Sequence, residues 1–383
     1  MLNVGVIGCG NCGNQIAVLA KKEADTDVFC INTSENDLST IPQGIPKKCI
    51  GDSEGSGKDR DQARDFLKHS ITEITAAEEF KGFVQGKDVI LVASSTGGGS
   101  GSGMSLVLSK IIHQACLNPD GTQKIVIPIG VIPRLDEGKS TQANTMEYIY
   151  ELYNVLQKPT YMLFDNNTYA KESSHIVLEK VNQDIVQAIK VMQCRYNLTT
   201  PYDSIDEKDM KMLLRTPGLI SITSLMGIKE KDLDNQTIED LLITAMKNSS
   251  CVEIQRDGKV SRTGLITNLS EKLNNSFDSH IQQVRKFVGE PIEEFLHIAV
   301  NEDKSMSNNV FLILTGLSKI VDRVDKIKER IEEIDAIQAA ENAEDVDITK
   351  DELDRLNSER RDREQVVSDS SAASLKDIFD AFE

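Results

Sequence analysis

The chain has 383 residues, 39% of them apolar, which suits about two domains plus a tail and supplies a core that needs no metal or disulfide staples. Its 43 basic and 61 acidic residues give a net charge of −18, so the whole-chain field repels phosphate backbones and any role on DNA requires an adaptor. Seven cysteines, scattered at 9, 12, 30, 49, 116, 194 and 251, read as packed thiols of a reducing cytosol. The lone Cys9/Cys12 pair has no second pair at zinc spacing, and no metal site is expected. Apolar runs such as Val126–Ile132 are interrupted and too short to span a bilayer, and Met1 leads straight into LNVGVI without a basic leader. The expectation is a cytoplasmic protein with no membrane span.

In chain order, Leu2–Ile7, Asp27–Ile31, Asp88–Ala93, Lys124–Ile132 and Thr160–Phe164 read as strands, with amphipathic helical patterns between most of them. That alternation predicts an α/β fold with a parallel sheet covered on both faces, whose ligand loops follow the strands. His175–Tyr196 then carries Val177, Val181, Ile185, Ala188 and Met192 on one face of a long linking helix. Further strand-like runs at Gly218–Ser224, Cys251–Gln255, Phe295–Val300 and Asn309–Thr315 predict a smaller mixed α/β domain. Leu317, Ile320, Val324, Ile327, Ile331 and Ile334 then recur at a three-four spacing, the mark of a long amphipathic helix. Residues 331–383 hold 17 acids and 6 bases. Their far end reads as disordered, except that Ser374–Glu383 restores Leu375, Ile378, Phe379 and Phe382 at helical spacing, as in a peptide that folds on a partner or a frayed end. The expected segments are 1–172, a central helix 173–197, a second domain 198–316, a helical extension 317–364 and a tail 365–383.

Two glycine loops carry the chemistry. Gly97–Gly103 (GGGSGSG) lies between a buried strand and a helix, where backbone N–H groups converge into an anion nest and the missing Cβ atoms let a polyphosphate approach. A flexible linker is the alternative, and a glycine run inside an α/β core argues against it. Gly8–Gly13 (GCGNCG) also joins strand to helix and formally fits the dinucleotide pattern, but the acidic residue expected after the second strand is replaced by Asn32. Gly51–Asp59 is not a P-loop, because Asp59 follows Gly57-Lys58 where Ser or Thr is required. What remains is a nucleotide site assembled from several strand-end loops.

GNCGNQIA at Gly10–Ala17 and GGGSGSG at Gly97–Gly103 resemble the nucleotide loops of the tubulin/FtsZ superfamily, with Ser100 at a usual threonine. The order of the remaining loops is similar as well: Asn32-Thr33-Ser34, Gly51–Asp59, Pro133–Gly138 and Asp165-Asn166-Asn167, over roughly residues 1 to 320. The resemblance implies a GTP/GDP site with Gly10, Asn11, Cys12, Gly13, Asn14 and Gln15 around base and phosphates, and Gly97, Gly98, Gly99, Ser100, Gly101 and Ser102 on the phosphates. It places Glu137 on the ribose and Asn14, Asn166 and Asn182 on guanine, with Asn32 also in the site and Mg²⁺ held through phosphates and water. Amide side chains match guanine's mixture of donors and acceptors. Where the family carries an arginine after the ribose loop, this chain has Thr141.

Ser204–Asp209 (SIDEKD) resembles the family loop that acts on the nucleotide of the neighbouring subunit, with Ser204 at a usual asparagine. Asp206 and Asp209, three apart, can face one side of a first helical turn and polarise a water, or can simply favour the positive end of a helix. The resemblance implies a GTPase that polymerises head to tail. The charged helix after Leu317 and the acidic tail are most similar to the TubZ branch, which implies filaments that segregate plasmid or phage DNA in a bacterial host through a TubR-type DNA-binding adaptor, with no direct contact to nucleic acid or membrane. Alternatives are an FtsZ-like division protein or scaffold with little hydrolysis and, on Gly8–Gly13 alone, an NAD-dependent oxidoreductase.

Overall fold

The computed structural model describes residues 2–52, 54–118, 120–156, 158–193, 204–252, 259–277, 281–301 and 307–343. The peptide Ser374–Glu383, Cys194 and most of the predicted strand Cys251–Gln255 lie outside these residues. The chain divides into two units, 1–331 and 332–383.

The first unit is built on ten strands: β1 (Val4–Cys9), β2 (Asp27–Asn32), β3 (Lys47–Cys49), β4 (Val89–Ser95), β5 (Ile125–Ile132), β6 (Thr160–Asp165), β7 (Gly218–Ile228), β8 (Arg262–Ser270), β9 (Glu293–Asn301) and β10 (Asn308–Leu317). They form one sheet in the order β3-β2-β1-β4-β5-β6-β7-β10-β8-β9. The pairs from β3 to β7 are parallel, β10 is antiparallel to both β7 and β8, and β8 with β9 is parallel again. The continuous apolar runs in β1, β4 and β6 follow from this, because a parallel strand covered by helices on both faces has no solvent side to alternate toward.

The helices in the first half are α1 (Gly10–Ala24), α2 (Glu35–Ser39), α3 (Arg60–Ala76), α4 (Glu78–Gln85), α5 (Ser100–Ala115) and α6 (Lys139–Asn154). Those after it are α7 (Ser174–Met192), α8 (Glu207–Leu214), α9 (Ile238–Asn248), α10 (Glu271–Ser276), α11 (Gln282–Val288) and α12 (Val321–Ala343). Helix α7 is the predicted linking helix, and its stripe Val177, Val181, Ile185, Ala188 and Met192 is wholly buried against α1 and the sheet. One expectation needs correction: Leu317 ends strand β10 and the long helix opens only at Val321, with Ile320 buried in the link. A three-four spacing does not distinguish a strand end whose neighbours happen to match from a first helical turn. Strands β3 and β8 were not visible in the sequence pattern, being respectively three residues long and interrupted by Gly264 and Asn268. In the second unit the described residues continue α12 as a helix with Glu332, Glu333 and Ile337 exposed.

Candidate functional site

Both glycine loops sit at the carboxyl ends of neighbouring parallel strands, β1 and β4, and each passes directly into a helix. Gly10 adopts φ +69°, a left-handed conformation, and a Cβ there would lie 2.7 Å from Gly101 N. Only two glycines let the first turns of α1 and α5 meet this closely. Neither helix has a side-chain cap, whereas α3 and α8 begin under the carboxylates of Asp59 and Asp206. Uncapped N–H groups on two converging helices leave positive partial charge at one spot, which an anion would satisfy.

Within the signature loop the Ser100 hydroxyl is 2.6 Å from Thr33 Oγ1 and 3.1 Å from Ser56 Oγ, so this loop is latched to the segments after β2 and before α3. Ser102 is buried; its hydroxyl bonds back to Gly98 O and accepts from Arg60 Nε at 3.1 Å. Asn144 Nδ2 donates to the carbonyls of Lys58, Gly97 and Gly98. The loop is therefore held in shape before any ligand arrives, with its carbonyls engaged from behind.

The predicted base readers show a different state. Asn14 and Asn166 are buried, and Oδ1 of each has no hydrogen-bond partner among the described residues. Two orphaned buried acceptors at one rim suit a ligand that brings donors, as guanine does with N1–H and N2–H. Asn182 is half-buried on α7 beside Gln183, whose amide donates to Glu23 Oε1 at 3.0 Å. Glu137 accepts from Arg134 N at 2.8 Å through one carboxylate oxygen. Asn32 is committed to its own turn: Nδ2 donates to Asp37 Oδ2 at 3.0 Å and Oδ1 accepts from Thr33 N at 2.8 Å. Asn11 and Cys12 ride on the first turn of α1 and Gln15 on the second. Burial pushes the Cys12 thiol up to about 12 and raises Cys9 as well, so both stay protonated at neutral pH.

With the rim described, a comparison with known proteins decides its kind: residues 3–173 match the Tubulin/FtsZ family, GTPase domain. This stretch is a tubulin/FtsZ GTPase domain. The tubulin-like protein CetZ2 of Haloferax volcanii is 24% identical over 232 residues, 57% of this chain and 61% of CetZ2, so the chain spans less than two thirds of that relative. TubZ of Clostridium botulinum phage c-st, truncated at its C-terminal tail, has a TM-score of 0.68 and 20% identity, covering 86% of this chain and 97% of that one. Haloferax volcanii CetZ2 in a GTPγS-bound protofilament has a TM-score of 0.70 and 18% identity, covering 88% and 100%. The tubulin/FtsZ fold is thus shared along most of the chain.

The predicted acidic pair lies elsewhere, beyond the matched stretch. Helix α7 descends from the glycine-loop rim to the opposite edge of the sheet, where Gln193 Nε2 donates to Thr26 Oγ1 at 2.8 Å just before β2. Helix α8 runs along that edge, with Lys211 Nζ 2.7 Å from Asp88 Oδ1 just before β4. Six-residue β1 and seven-residue β4 separate the two rims by roughly 20 Å at about 3.3 Å per residue. Asp206 therefore does not reach the glycine loops of its own chain. It accepts from Lys208 N at 2.7 Å and Asp209 N at 2.9 Å, while Asp209 Oδ2 accepts from Asp206 N at 3.1 Å. This is a reciprocal capping box. Within one chain the pair caps a helix.

Sequence reasoning missed the side chains that tie the rim together. Arg60 is buried and bonds Ser102, Glu147 and Glu151 at sequence separations of 42 to 91. Asp165 is buried at the end of β6, where Arg323 from α12 grips it. Burial pushes the Asp165 carboxyl up, and the guanidinium opposes that shift. An arginine in a charged amphipathic helix carries no local signal of a partner so distant in sequence.

Proposed function

We propose that the protein is a GTP-dependent, self-assembling GTPase whose active site is completed head to tail. The observation that carries this reading is the separation of the two rims: an uncapped, acceptor-rich glycine rim at the carboxyl ends of the strands, and the Asp206/Asp209 pair at their amino ends. Guanine binds through Asn14, Asn166 and Asn182, the ribose through Glu137, and the phosphates through Gly10–Gln15 and Gly97–Ser102. Mg²⁺ is held through phosphate oxygens and water. When a second copy stacks its amino-end rim on this nucleotide, Asp206 and Asp209 orient a water for attack on the γ-phosphorus. The bond to the β-phosphate oxygen breaks, and GDP and inorganic phosphate leave. A head-to-tail contact is heterologous, and its repetition gives an open filament.

Within this reading the protein is a DNA-segregation filament of the TubZ kind, supported by its likeness to phage c-st TubZ and by a charge of −18 that favours an adaptor between filament and DNA. A TubR-type adaptor then binds the C-terminal region. Light scattering with parallel phosphate release tests the core of the proposal. GTP should raise scattering above a critical protein concentration, with phosphate release following polymer mass, and Asp206→Ala should lower turnover by at least about a hundredfold while leaving GTP binding within about twofold. Turnover per chain that is independent of protein concentration would reject the shared site.

A further inference from the structure

The ribose and base segments of the rim are not held by the nucleotide domain alone. Arg323, in the first turn of α12, donates through Nε to Asp165 Oδ2 at 2.6 Å and through Nη2 to Asp165 Oδ1 at 3.1 Å and Pro133 O at 2.7 Å. Its side chain is 7% exposed, and Nη1 has no hydrogen-bond partner among the described residues. Two turns on, Arg330 Nε donates to Leu135 O at 3.0 Å, and Ile327 between them is fully buried beside Leu135 in the same core cluster.

These anchors are upstream of both nucleoside contacts. Asp165 Oδ1 accepts from Asn167 N at 2.8 Å, which sets the turn that presents Asn166. Asn167 Oδ1 in turn accepts from Leu135 N at 3.3 Å, joining this turn to the Pro133–Gly138 loop. In that loop Arg134 N donates to Glu137, the ribose residue of the proposed site. One guanidinium thus pins the end of β6 and the start of the ribose loop together. A planar fork that uses three donors on a carboxylate and a carbonyl fixes orientation as well as distance. Among the described residues no hydrogen bond joins α12 to the phosphate loops Gly8–Gly13 and Gly97–Gly103; the second of these is latched by Thr33, Ser56, Arg60 and Asn144.

We propose that Arg323 is a positioning residue for the nucleoside half of the site, through which helix α12 sets ribose and base affinity without touching the phosphates. The inference rests on the GTP reading above. By reciprocity, nucleoside binding stabilises the docked first turns of α12.

The test is equilibrium titration of the full chain and its Arg323→Met variant with GTP, with 2′,3′-dideoxy-GTP and with inorganic tripolyphosphate. GTP affinity of the variant should fall about tenfold, the scale of one lost charged hydrogen bond, dideoxy-GTP affinity clearly less, and tripolyphosphate affinity not at all. Arg323→Lys should recover part of the GTP loss, since an ammonium keeps the charge opposite Asp165. If Arg323→Met does not fold, the neutral pair Asp165→Asn with Arg323→Gln carries the same three-ligand comparison. Hydrogen exchange over 321–331 should slow on GTP binding in the parent and not in the variant. Equal loss for all three ligands, or undiminished GTP affinity, would overturn the positioning role. A parent chain that binds none of the three would instead refute the GTP reading.

Discussion

At the carboxyl-terminal edge of the parallel strands, α1 and α5 begin without side-chain caps and Asn14 and Asn166 keep buried acceptors unmatched. At the amino-terminal edge, α8 begins inside a reciprocal capping box and Lys211 is paired with Asp88. The helix starts at the first edge stay open to a ligand, whereas at the second the start of α8 is closed by its own side chains. In the proposed filament its carboxylates gain a chemical task when a second copy approaches. The difference shows why the same residue types mean different things at two ends of one sheet: a backbone N–H left open is an invitation to an anion, while a carboxylate closed on N–H groups is first a piece of helix architecture.

The contrast breaks most severely at Gly13. Its Cβ would lie 2.8 Å from Ala93 C, against the backbone of β4, so Gly13→Ala must push α1 off the strand. The expected cost is about 3 kcal/mol of stability, together with loss of measurable nucleotide binding, read by chemical denaturation and titration. A comparable change at Gly82 on α4, exposed and with nothing within 4 Å of a Cβ, should leave nucleotide binding unchanged and stability equal or slightly higher.

A finer test is Asn166→Ala. Removing an acceptor that a guanine donor would meet should weaken GTP binding roughly tenfold and narrow the preference for GTP over ATP. The same change should leave the nucleotide-free protein as stable as the parent or slightly more stable, because an unmatched buried acceptor is itself a cost. A clear drop in the melting temperature of the nucleotide-free variant would mean that the acceptor is satisfied in the free chain, and the contrast between the edges would lose half its basis.

The smallest effect belongs to the amino-terminal edge. Asp27 is held below its ordinary value of 3.8, first by its hydrogen bond from Lys87, against partial desolvation. A depressed folded-state value contributes stability that is present above 3.8 and is lost as pH falls through that lower value. Asp27→Asn should therefore flatten the acid limb of a stability-versus-pH curve below about pH 4. The change should stay under about 1 kcal/mol, since the carboxylate is 60% exposed.

How legible the molecule was depended on the range of the interaction. The parallel half announced itself, because a buried parallel strand must be apolar throughout: β1, β2, β4, β5 and β6 fall within two residues of their expected bounds. The glycine loops were legible for the same kind of local reason, since a run of residues without Cβ atoms between strand and helix has few other uses. Leu317 was misplaced because apolar spacing is shared by a strand end and a helix start. The resemblance places Asn32 in the nucleotide site; in the free chain both ends of its amide are engaged by Asp37 and Thr33 in the turn after β2, a local arrangement that position alone does not reveal.

The sequence by itself determined the class of fold, the positions of the two glycine loops and the long apolar stripe of α7, since each rests on backbone chemistry and periodicity within a dozen or so residues. Only the tertiary structure decided which rim each of those features occupies. It placed Asp206 and Asp209 at the opposite edge from Gly10 and Gly101, and it brought Arg323 across 158 residues to Asp165. The physical reason is that hydrogen bonds and ion pairs are satisfied by whatever lies within about 3 Å in space, and sheet order, not chain order, sets that company.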